Sequence, residues 1–416
     1  MTEITQYSPE HTSVDLARLT APPAAGIEVF DPVTLAFLNK ISRLLLADKN
    51  FNRSPEIAAL GYWLRKSNLE TMAEENRPWL HSAMYSINPL GMVFHIAPSN
   101  VDTIFLYSLC ISLLMGNSNV VRVSSAPLTA TAGFIISCIN KALAEEEFRH
   151  LKEYIKIITY SHQDSINEYL SAQANCRVIW GGNDTVEHFR NIPSSVYSKD
   201  LLFPNRISCS LIKASAFLAS DAGGRQSAAN DFFNDSYTFD QLGCSSPRFI
   251  FVLGSEEEKE LFATEFYKSL SAVALKRYAG KATLLSVQKF NHLVNDVLAG
   301  RVDTARHSNN SAYFVETEDS SPDLESCYGG YFYLRRIEAG SFAQLKEMVT
   351  GKVQTLTWFG LNDKELADLN RALYGKRIDR LVPVGEALSF NYIWDGMNLF
   401  EELSRRRFIS RNRIRL

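Results

Sequence analysis

The spacing of apolar residues predicts helices in the first 80 residues and a parallel sheet after them. Two early stretches carry apolar residues at helical intervals, FLNKISRLLL and IAALGYWLRKS. From Leu90 onward, short β-rich runs alternate with segments of helical length; the runs are GMVFHIA, NVVRV, YIKIITY and CRVIW. Strands that alternate with helices in this way are typical of βαβ units. The sequence therefore predicts an α/β fold.

This alternation breaks near Asn205, and a second series of strands and helices begins with SCSLIKAS and continues with RFIFVL. We predict four segments: an N-terminal helical part over 1–80, a first α/β domain of nucleotide-binding type over 81–206, a second α/β domain over 207–378, and a C-terminal return segment over 379–416. The last twelve residues contain six arginines. Such a run is typical of either an oligomer arm strand or an anion-binding patch.

Composition and charge narrow the classes of function. With 416 residues, the chain is long enough for two or three domains. The formal net charge of -3 gives no positive field to attract nucleic acid, so we expect no nucleic-acid partner. The cysteines include no CxxC pair and no Cys/His cluster at metal-ligand spacing, so we expect no bound metal.

The sequence also bears on where the protein works. Its N-terminus lacks a basic region followed by an apolar stretch, and the most apolar segment, Ile104 to Met115, is too short to span a bilayer. We therefore expect a cytoplasmic protein with reduced thiols and no membrane span.

Two strand ends in the first domain are candidate cofactor contacts. Gly181 and Gly182 lie between a strand and a helix, where missing side chains let a ligand approach the backbone; the alternative is a tight turn that needs positive φ. No GxGxxG motif occurs. Arg122 ends another strand and is followed by Ser124 and Ser125 with no carboxylate at the turn. This favours a 2′-phosphate, and so NADP over NAD; the alternative is a solvated surface arginine.

One cysteine stands out by its context. Cys244 lies in FDQLGCSSPRFIF, in a turn of Gly, Ser and Pro, where a nucleophile is reachable and nearby amides stabilise a thiolate. Cys327, in ESCYGGYF, is its rival by context. The other four fall inside apolar helices or strands and are interpreted as small buried hydrophobes: Cys110, Cys138, Cys176 and Cys209.

Two polar residues in VFHIAPSN have two interpretations each. Asn100 is either the N-cap of the following helix or an amide donor to a developing oxyanion. His95 is either a satisfied core residue or a group that contacts substrate or an interface.

Four segments occur in the order and spacing of the aldehyde dehydrogenase superfamily: NPLGMVFHIAPSNV, GNSNVVRVSSAPLTA, VIWGG and DQLGCSSPRFIFV. More narrowly, the chain resembles the LuxC family, the long-chain fatty acyl-CoA reductases of bacterial bioluminescence operons. The HIxPxNV run, the CSSP motif, and a late VPVGxAL followed by WDG carry this resemblance. It implies an aldehyde-dehydrogenase-like fold, with a Rossmann-type NADP-binding domain and a second, catalytic α/β domain that carries the cysteine.

The resemblance also implies roles for individual residues. Cys244 matches the nucleophile that takes the acyl group from its thioester, and Asn100 matches the amide that holds the oxyanion together with the cysteine N–H. Arg122 matches the basic residue at the adenosine ribose, and Ser125 falls near the position where NAD-preferring relatives have an acid. Gly181–Gly182 match the turn under the pyrophosphate.

Two departures from the superfamily pattern concern acidic residues. Hydrolytic aldehyde dehydrogenases carry a general-base Glu shortly before the cysteine, whereas the corresponding stretch here, FPNRISCSLI, has none. The segment that holds the nicotinamide ribose in relatives is SCYGGYF here, also without the acid. We therefore expect poor activation of water and an acyl-cysteine that is resolved by hydride.

The sequence thus predicts an NADPH-dependent acyl-CoA reductase that forms an acyl-cysteine and releases an aldehyde. The alternatives are a cysteine acyltransferase or thioesterase that does not use nicotinamide, and a catalytically silent assembly subunit. The resemblance further implies an acyl-activating synthetase partner and a homo-oligomer. Trp394 and Asp395, in the WDG motif, are expected to shape the substrate site or an interface.

Overall fold

The structure is a computed structural model that describes residues 4–51, 54–161, 163–307, 309–319, 324–338 and 342–410. The chain forms two compact units. The first combines Met1–Pro204 with Phe390–Leu416, and the second is Asn205–Ser389.

Among the described residues before 205, the first unit has eight strands and nine α-helices. The strands are Ile4–Ser8 (β1), Thr12–Val14 (β2), Tyr85–Pro89 (β3), Met92–Ile96 (β4), Ser118–Arg122 (β5), Ile155–Thr159 (β6), Cys176–Trp180 (β7) and Lys199–Phe203 (β8). The helices described are Leu16–Thr20 (α1), Pro32–Ala47 (α2), Pro55–Trp63 (α3), Lys66–Glu75 (α4), Arg77–Leu80 (α5), Ile104–Leu114 (α6), Ala130–Leu143 (α7), Asp164–Gln173 (α8) and Asn183–Asn191 (α9), with a 3₁₀ helix at Glu146–Glu153.

Seven of these strands form one sheet in the order β2-β1-β6-β5-β4-β7-β8. Strands β4 to β8 are parallel to one another, as the alternating pattern predicts. The chain builds outward from β4 through β5 to β6, then returns to the other side of β4 for β7 and β8. This is the strand order of a Rossmann-type domain, which places a ligand crevice beside the carboxyl end of β4. The predicted α/β fold is confirmed.

The N-terminal segment differs from the all-helical prediction. Strand β1 adds to the edge of the sheet antiparallel to β6, and β2 pairs with β1. Alternate residues of β1 are buried, which is the period-two pattern of a strand. Five residues are too few for this period to stand out from the helical pattern that follows.

The second unit has its own sheet with helices on both faces. Its strands are Ile207–Lys213 (β9), Pro247–Gly254 (β10), Thr304–Arg306 (β11), Tyr313–Glu316 (β12), Tyr331–Glu338 (β13), Val353–Phe359 (β14) and Arg380–Pro383 (β15). Its helices are Ala214–Ala219 (α10), Ala222–Tyr237 (α11), Glu256–Leu284 (α12), Ser286–Leu298 (α13), Phe342–Met348 (α14) and Asp363–Ala372 (α15), with a 3₁₀ turn at Leu324–Ser326. The order is β11-β12-β13-β10-β9-β14-β15, and only β11 runs antiparallel to its described neighbour. Because β15 belongs to this sheet, the second unit continues past residue 378.

The return segment rejoins the first unit. It contains Ile393–Trp394 (β16), Met397–Asn398 (β17), Leu399–Glu402 (α16) and Ser404–Phe408 (β18). Strand β18 pairs with β3 in an antiparallel two-stranded ribbon. Three of the six terminal arginines lie in β18, and the other three lie outside the described residues. No described helix is both long and apolar enough to cross a membrane.

Candidate active site

Three predicted contact points lie at one edge of the first sheet. Strand β4 pairs with β5 on one side and with β7 on the other, all parallel. Asn100 follows the carboxyl end of β4, Arg122 is the last residue of β5, and Gly181–Gly182 follow β7. Because carboxyl ends of neighbouring parallel strands meet at the same edge, the strand ends that lead into these residues lie side by side at the expected ligand crevice.

Close packing requires glycine at position 181, and no left-handed backbone requires it at either position of the pair. Neither glycine has positive φ, so the tight-turn alternative is wrong. A Cβ on Gly181 would lie 2.8 Å from the Thr185 side chain, whereas a Cβ on Gly182 would meet nothing within 4 Å. Gly182 is the N-cap of α9 and no side chain caps that end. A helix N-terminus without a side-chain cap, next to a residue with open space around it, suits a phosphate group.

Arg122 is held by an aromatic ring in place of a carboxylate. Its guanidinium lies 4.9 Å from the centre of the Tyr160 ring. Its Nε is buried and has no hydrogen-bond partner among the described residues. Ser124 accepts a hydrogen bond from the Ala126 N–H at 3.2 Å, and Ser125 is exposed. Among the described residues this guanidinium has no carboxylate partner, and a guanidinium free of a carboxylate fits a phosphate.

Asn100 lies in the loop between β4 and α6 with its side chain exposed. The N-cap of α6 is Thr103, three residues further on. The N-cap interpretation of Asn100 is therefore wrong. Its exposed position after β4 is compatible with the amide-donor interpretation.

His95 is fully buried in the first unit. Its Nδ1 lies 2.8 Å from Ser108 Oγ and its Nε2 lies 3.0 Å from Asn119 Oδ1. Asn119 Nδ2 donates to the Asn117 carbonyl, so Oδ1 accepts from His95 Nε2–H; Ser108 accepts from Trp180 Nε1–H and donates to Nδ1. Burial lowers the pKa of His95 to about 4. This neutral, fully bonded ring has the properties of a core residue and not of a substrate contact.

The WDG motif forms a tight hairpin. Strands β16 and β17 pair antiparallel, and the two residues between them, Asp395 and Gly396, have φ of 49° and 74°. This matches a type I′ turn, which Asp-Gly favours. Trp394 is buried, with its ring centre 5.4 Å from that of Tyr107. Packing and turn geometry account for all three residues of the motif.

Cys244 is the most accessible cysteine of the chain. All six lie in described residues, none is in a disulfide, and five are buried, including the rival Cys327. Burial raises the pKa of the thiols of the four predicted core cysteines: well above its usual value for Cys110, to about 11 for Cys138, and to about 12 for Cys176 and Cys209. Thiolate chemistry at these four positions is therefore disfavoured.

A buried glutamine fixes the loop that carries Cys244. Asp240 and Gln241 both have positive φ, at 53° and 68°. The Gln241 amide donates to the carbonyls of Pro247 at 3.0 Å and Tyr331 at 2.9 Å. Its oxygen accepts from the N–H groups of Gly330 at 3.1 Å and Tyr331 at 3.2 Å. The loop is thereby tied to the start of β13. No local sequence signal marks Gln241.

Ser208 hydrogen-bonds to the backbone carbonyl of Cys244. Its hydroxyl donates to the Cys244 carbonyl at 2.7 Å and accepts from the Thr355 N–H at 3.2 Å. Ser208 lies within FPNRISCSLI, the stretch that the sequence resemblance matches to the Glu-bearing stretch of hydrolytic aldehyde dehydrogenases. The missing Glu is the one feature of the sequence that draws attention to the stretch containing Ser208.

The VPVGxAL motif is also explained by the structure. Asp235 on α11 accepts hydrogen bonds from the N–H groups of Gly385 at 2.7 Å and Ala387 at 3.0 Å. Arg380 donates to the carbonyls of Ala387 and Ser389 at 2.9 and 3.0 Å. Burial raises the pKa of Asp235 to about 7, although the two amide donors lower it. The motif is therefore a loop whose N–H groups bind Asp235 and whose carbonyls bind Arg380.

Comparison with solved structures places the chain in the aldehyde dehydrogenase fold. Aldehyde dehydrogenase 21 from Physcomitrella patens matches with a TM-score of 0.67 and 12% identity, over 96% of this chain and 92% of that one. An oxidoreductase from Marinobacter aquaeolei gives 0.66 and 11%, over 98% and 94%. An aldehyde dehydrogenase from Brucella melitensis biovar abortus 2308 gives 0.65 and 12%, over 98% and 93%. No curated protein matches the sequence.

The fold is that of the aldehyde dehydrogenases, which these solved structures share at 11–12% identity. The sequence model of the acyl-CoA reductase (LuxC) family matches residues 68–406. The chain belongs to this family, and the resemblance found in the sequence is confirmed.

Proposed function

We propose that the protein reduces fatty acyl thioesters to aldehydes through an acyl-cysteine at Cys244. The Cys244 thiolate attacks the thioester carbonyl, a new C–S bond forms, and CoA leaves as the thiolate and takes up a proton. The observation that carries this proposal is the position of Cys244: an accessible thiol in a turn whose backbone is fixed by Gln241 and Ser208. A fixed nucleophile favours attack because little freedom is lost on reaching the transition state.

Asn100 is proposed to donate its side-chain amide to the oxyanion that forms on the thioester carbonyl. Loss of one such donor costs roughly 3 to 4 kcal/mol of transition-state stabilisation. Asn100→Ala is therefore expected to slow acylation about 100- to 1000-fold while thermal stability stays unchanged, because the side chain is exposed. Asn370→Ala, at an exposed position on α15, is the control. Stopped-flow measurement of CoA release checks this, and an unchanged acylation rate in Asn100→Ala contradicts the assignment.

The cofactor is proposed to be NADPH, held by residues at the carboxyl edge of the first sheet. Arg122, with its unpartnered Nε, fits a 2′-phosphate, with Ser124 and Ser125 beside it. Gly182 and the first amides of α9 fit a pyrophosphate. When bound, NADPH supplies the hydride that, with a proton, converts the thioester into aldehyde and free thiol.

The choice of NADPH is tested by removing the guanidinium. A charge-assisted hydrogen bond contributes about 1.5 to 3 kcal/mol, so Arg122→Ala is expected to raise KM for NADPH roughly 10- to 100-fold. KM for NADH, which lacks the 2′-phosphate, is expected to change little in the same variant. Equal changes for the two cofactors contradict a role of Arg122 at the 2′-phosphate.

Hydrolysis of the acyl-enzyme is proposed to be slow. The stretch where relatives carry the general base forms the start of β9, and its Ser208 hydroxyl is engaged with the Cys244 carbonyl. A stretch without a general base, whose serine hydroxyl is already hydrogen-bonded, favours a reductase over a thioesterase with the same nucleophile. The two differ in a simple measurement: titration with the protein quenches or shifts NADPH fluorescence for the reductase and leaves it unchanged for a thioesterase.

The remaining predictions about the protein's setting stand as part of this proposal. The acyl donor is CoA or another thiol, and a synthetase that activates fatty acids would supply the thioester. The protein would work in the cytoplasm as a homo-oligomer, with the β3–β18 ribbon as an arm. Pull-down of a synthetase activity from a host lysate, and its absence with an unrelated bait, tests the partner.

A further inference from the structure

Helix α13 of the second unit turns its ionisable side chains inward and most of its apolar side chains outward, the reverse of an ordinary surface helix. Its three ionisable residues all point inward: Lys289, His292 and Asp296. Lys289 Nζ donates to the Gly329 carbonyl at 2.8 Å. The Asp296 carboxylate accepts hydrogen bonds from two tyrosine hydroxyls at 2.7 and 2.6 Å, and His292 Nε2 lies 3.1 Å from one of these hydroxyls. These contacts fix which face of the helix is turned outward.

The outward face is apolar and carries no charge. Five large hydrophobic residues of α13 are exposed: Val287 at 66%, Phe290 at 52%, Val294 at 37%, Val297 at 56% and Leu298 at 80%. The other exposed side chains of the helix are neutral: Gln288, Asn291 and Asn295. Leu284, at the end of α12, is 79% exposed. A solvated surface helix has the opposite arrangement, with charges outward and apolar residues inward.

The size of this face matches an interface core. At roughly 100 Å² for each of the six hydrophobic residues, the face exposes on the order of 600 Å², the upper end of the largest patch on a typical monomer. A standard protein interface buries about 800 Å² on each partner. The apolar face of α13, with its neutral rim, therefore approaches the area that a stable dimer contact needs.

We propose that this face pairs with the same face of a second copy of the chain, as an antiparallel helix pair around a two-fold axis. The seam positions 287, 291, 294 and 298 are separated by four, three and four residues, which is coiled-coil spacing and is the same from either end. In an antiparallel pair Val287 meets Leu298 of the other copy, and Asn291 meets Val294. A two-fold interface must complement itself. An uncharged face satisfies this without like-charge repulsion.

The pairing is tested in the full chain by light scattering coupled to size exclusion at about 10 μM. Val294→Glu and Val294→Lys each place like charges near each other across the axis, so each is expected to halve the mass of the assembly. Val196→Glu, a fully solvated position in the first unit at 91% exposure, is the matched control and is expected to keep the wild-type mass. Thermal melts by circular dichroism confirm that all variants fold.

Mixing the two Val294 variants separates self-pairing from any other use of the face. Glu on one copy and Lys on the other attract, so the mixture is expected to regain the wild-type mass. A monomeric wild-type protein, or an unchanged mass in the Val294 variants, overturns the proposal. Halved masses that do not recover on mixing also overturn it, since the face would then contact a different surface.

Discussion

The hydrogen bonds of Gln241 give a quantitative prediction about the loop that carries Cys244. Gln241→Leu keeps the approximate shape of the side chain but removes four hydrogen bonds to buried backbone groups, two carbonyls and two N–H groups. At about 1 kcal/mol for each bond, the free energy of opening this region falls by about 4 kcal/mol. At 1.4 kcal/mol for each factor of ten, the opened state becomes about 1000-fold more populated.

Amide hydrogen exchange measures this change directly. The N–H groups of Gly330 and Tyr331 lose their acceptor in Gln241→Leu, so both are expected to exchange about 1000-fold faster. The exposed Gln226→Leu on α11 is the matched control, because a surface substitution changes stability by less than about 0.5 kcal/mol. The same loss of order displaces Cys244, three residues further on, and is expected to slow acylation roughly 100-fold. An increase in exchange below tenfold at Gly330 and Tyr331 would refute the reasoning.

Three further predictions concern stability. The pKa of His95 is about 4 in the folded protein and 6.5 in the unfolded chain, so the free energy of unfolding decreases as pH falls from 6.5 to 4. In His95→Gln, urea titrations should show a decrease that is smaller by about 3 kcal/mol. Asp235 has a raised pKa of about 7, so it contributes stability that is present below pH 4 and is lost as pH rises to 7; melts of Asp235→Asn from pH 4 to 8 should lack this decline. Gly396→Ala should cost about 1 to 2 kcal/mol at φ of 74°, whereas Gly26→Ala, which meets nothing within 4 Å, should be neutral. An unchanged pH dependence of stability in His95→Gln or Asp235→Asn would contradict the first two assignments. Equal stabilities of Gly396→Ala and Gly26→Ala would contradict the third.

Local sequence signals predicted the parallel sheet and the strand ends. β4, β5 and β7 are short apolar runs followed by turn or helix signals, and each signal lies within a few residues of the strand. Asn100, Arg122 and Gly181–Gly182 could therefore be placed at one edge from topology alone. The superfamily resemblance followed from four such segments taken together, and the narrower family resemblance from the HIxPxNV, CSSP, VPVGxAL and WDG motifs.

Contacts between distant segments could not be predicted in the same way. Gln241 acts on Tyr331, and Ser208 acts on Cys244, across separations of 90 and 36 residues. Cys244 also lies just before β10, at the amino end of that strand. The rule that ligands bind at the carboxyl ends of strands in α/β sheets therefore does not predict its position. His95 and Trp394 were offered a role at a site or an interface because their motifs are distinctive, yet the structure uses them for core hydrogen bonding and packing.

The identity of the nucleophile is tested most directly by intact-protein mass spectrometry after mixing with a fatty acyl-CoA in the absence of reductant. The account predicts one acyl adduct, mapped by peptide analysis to Cys244, absent in Cys244→Ser, and released as the fatty aldehyde when NADPH is added. An adduct on another residue, or aldehyde formation by Cys244→Ser, would contradict it.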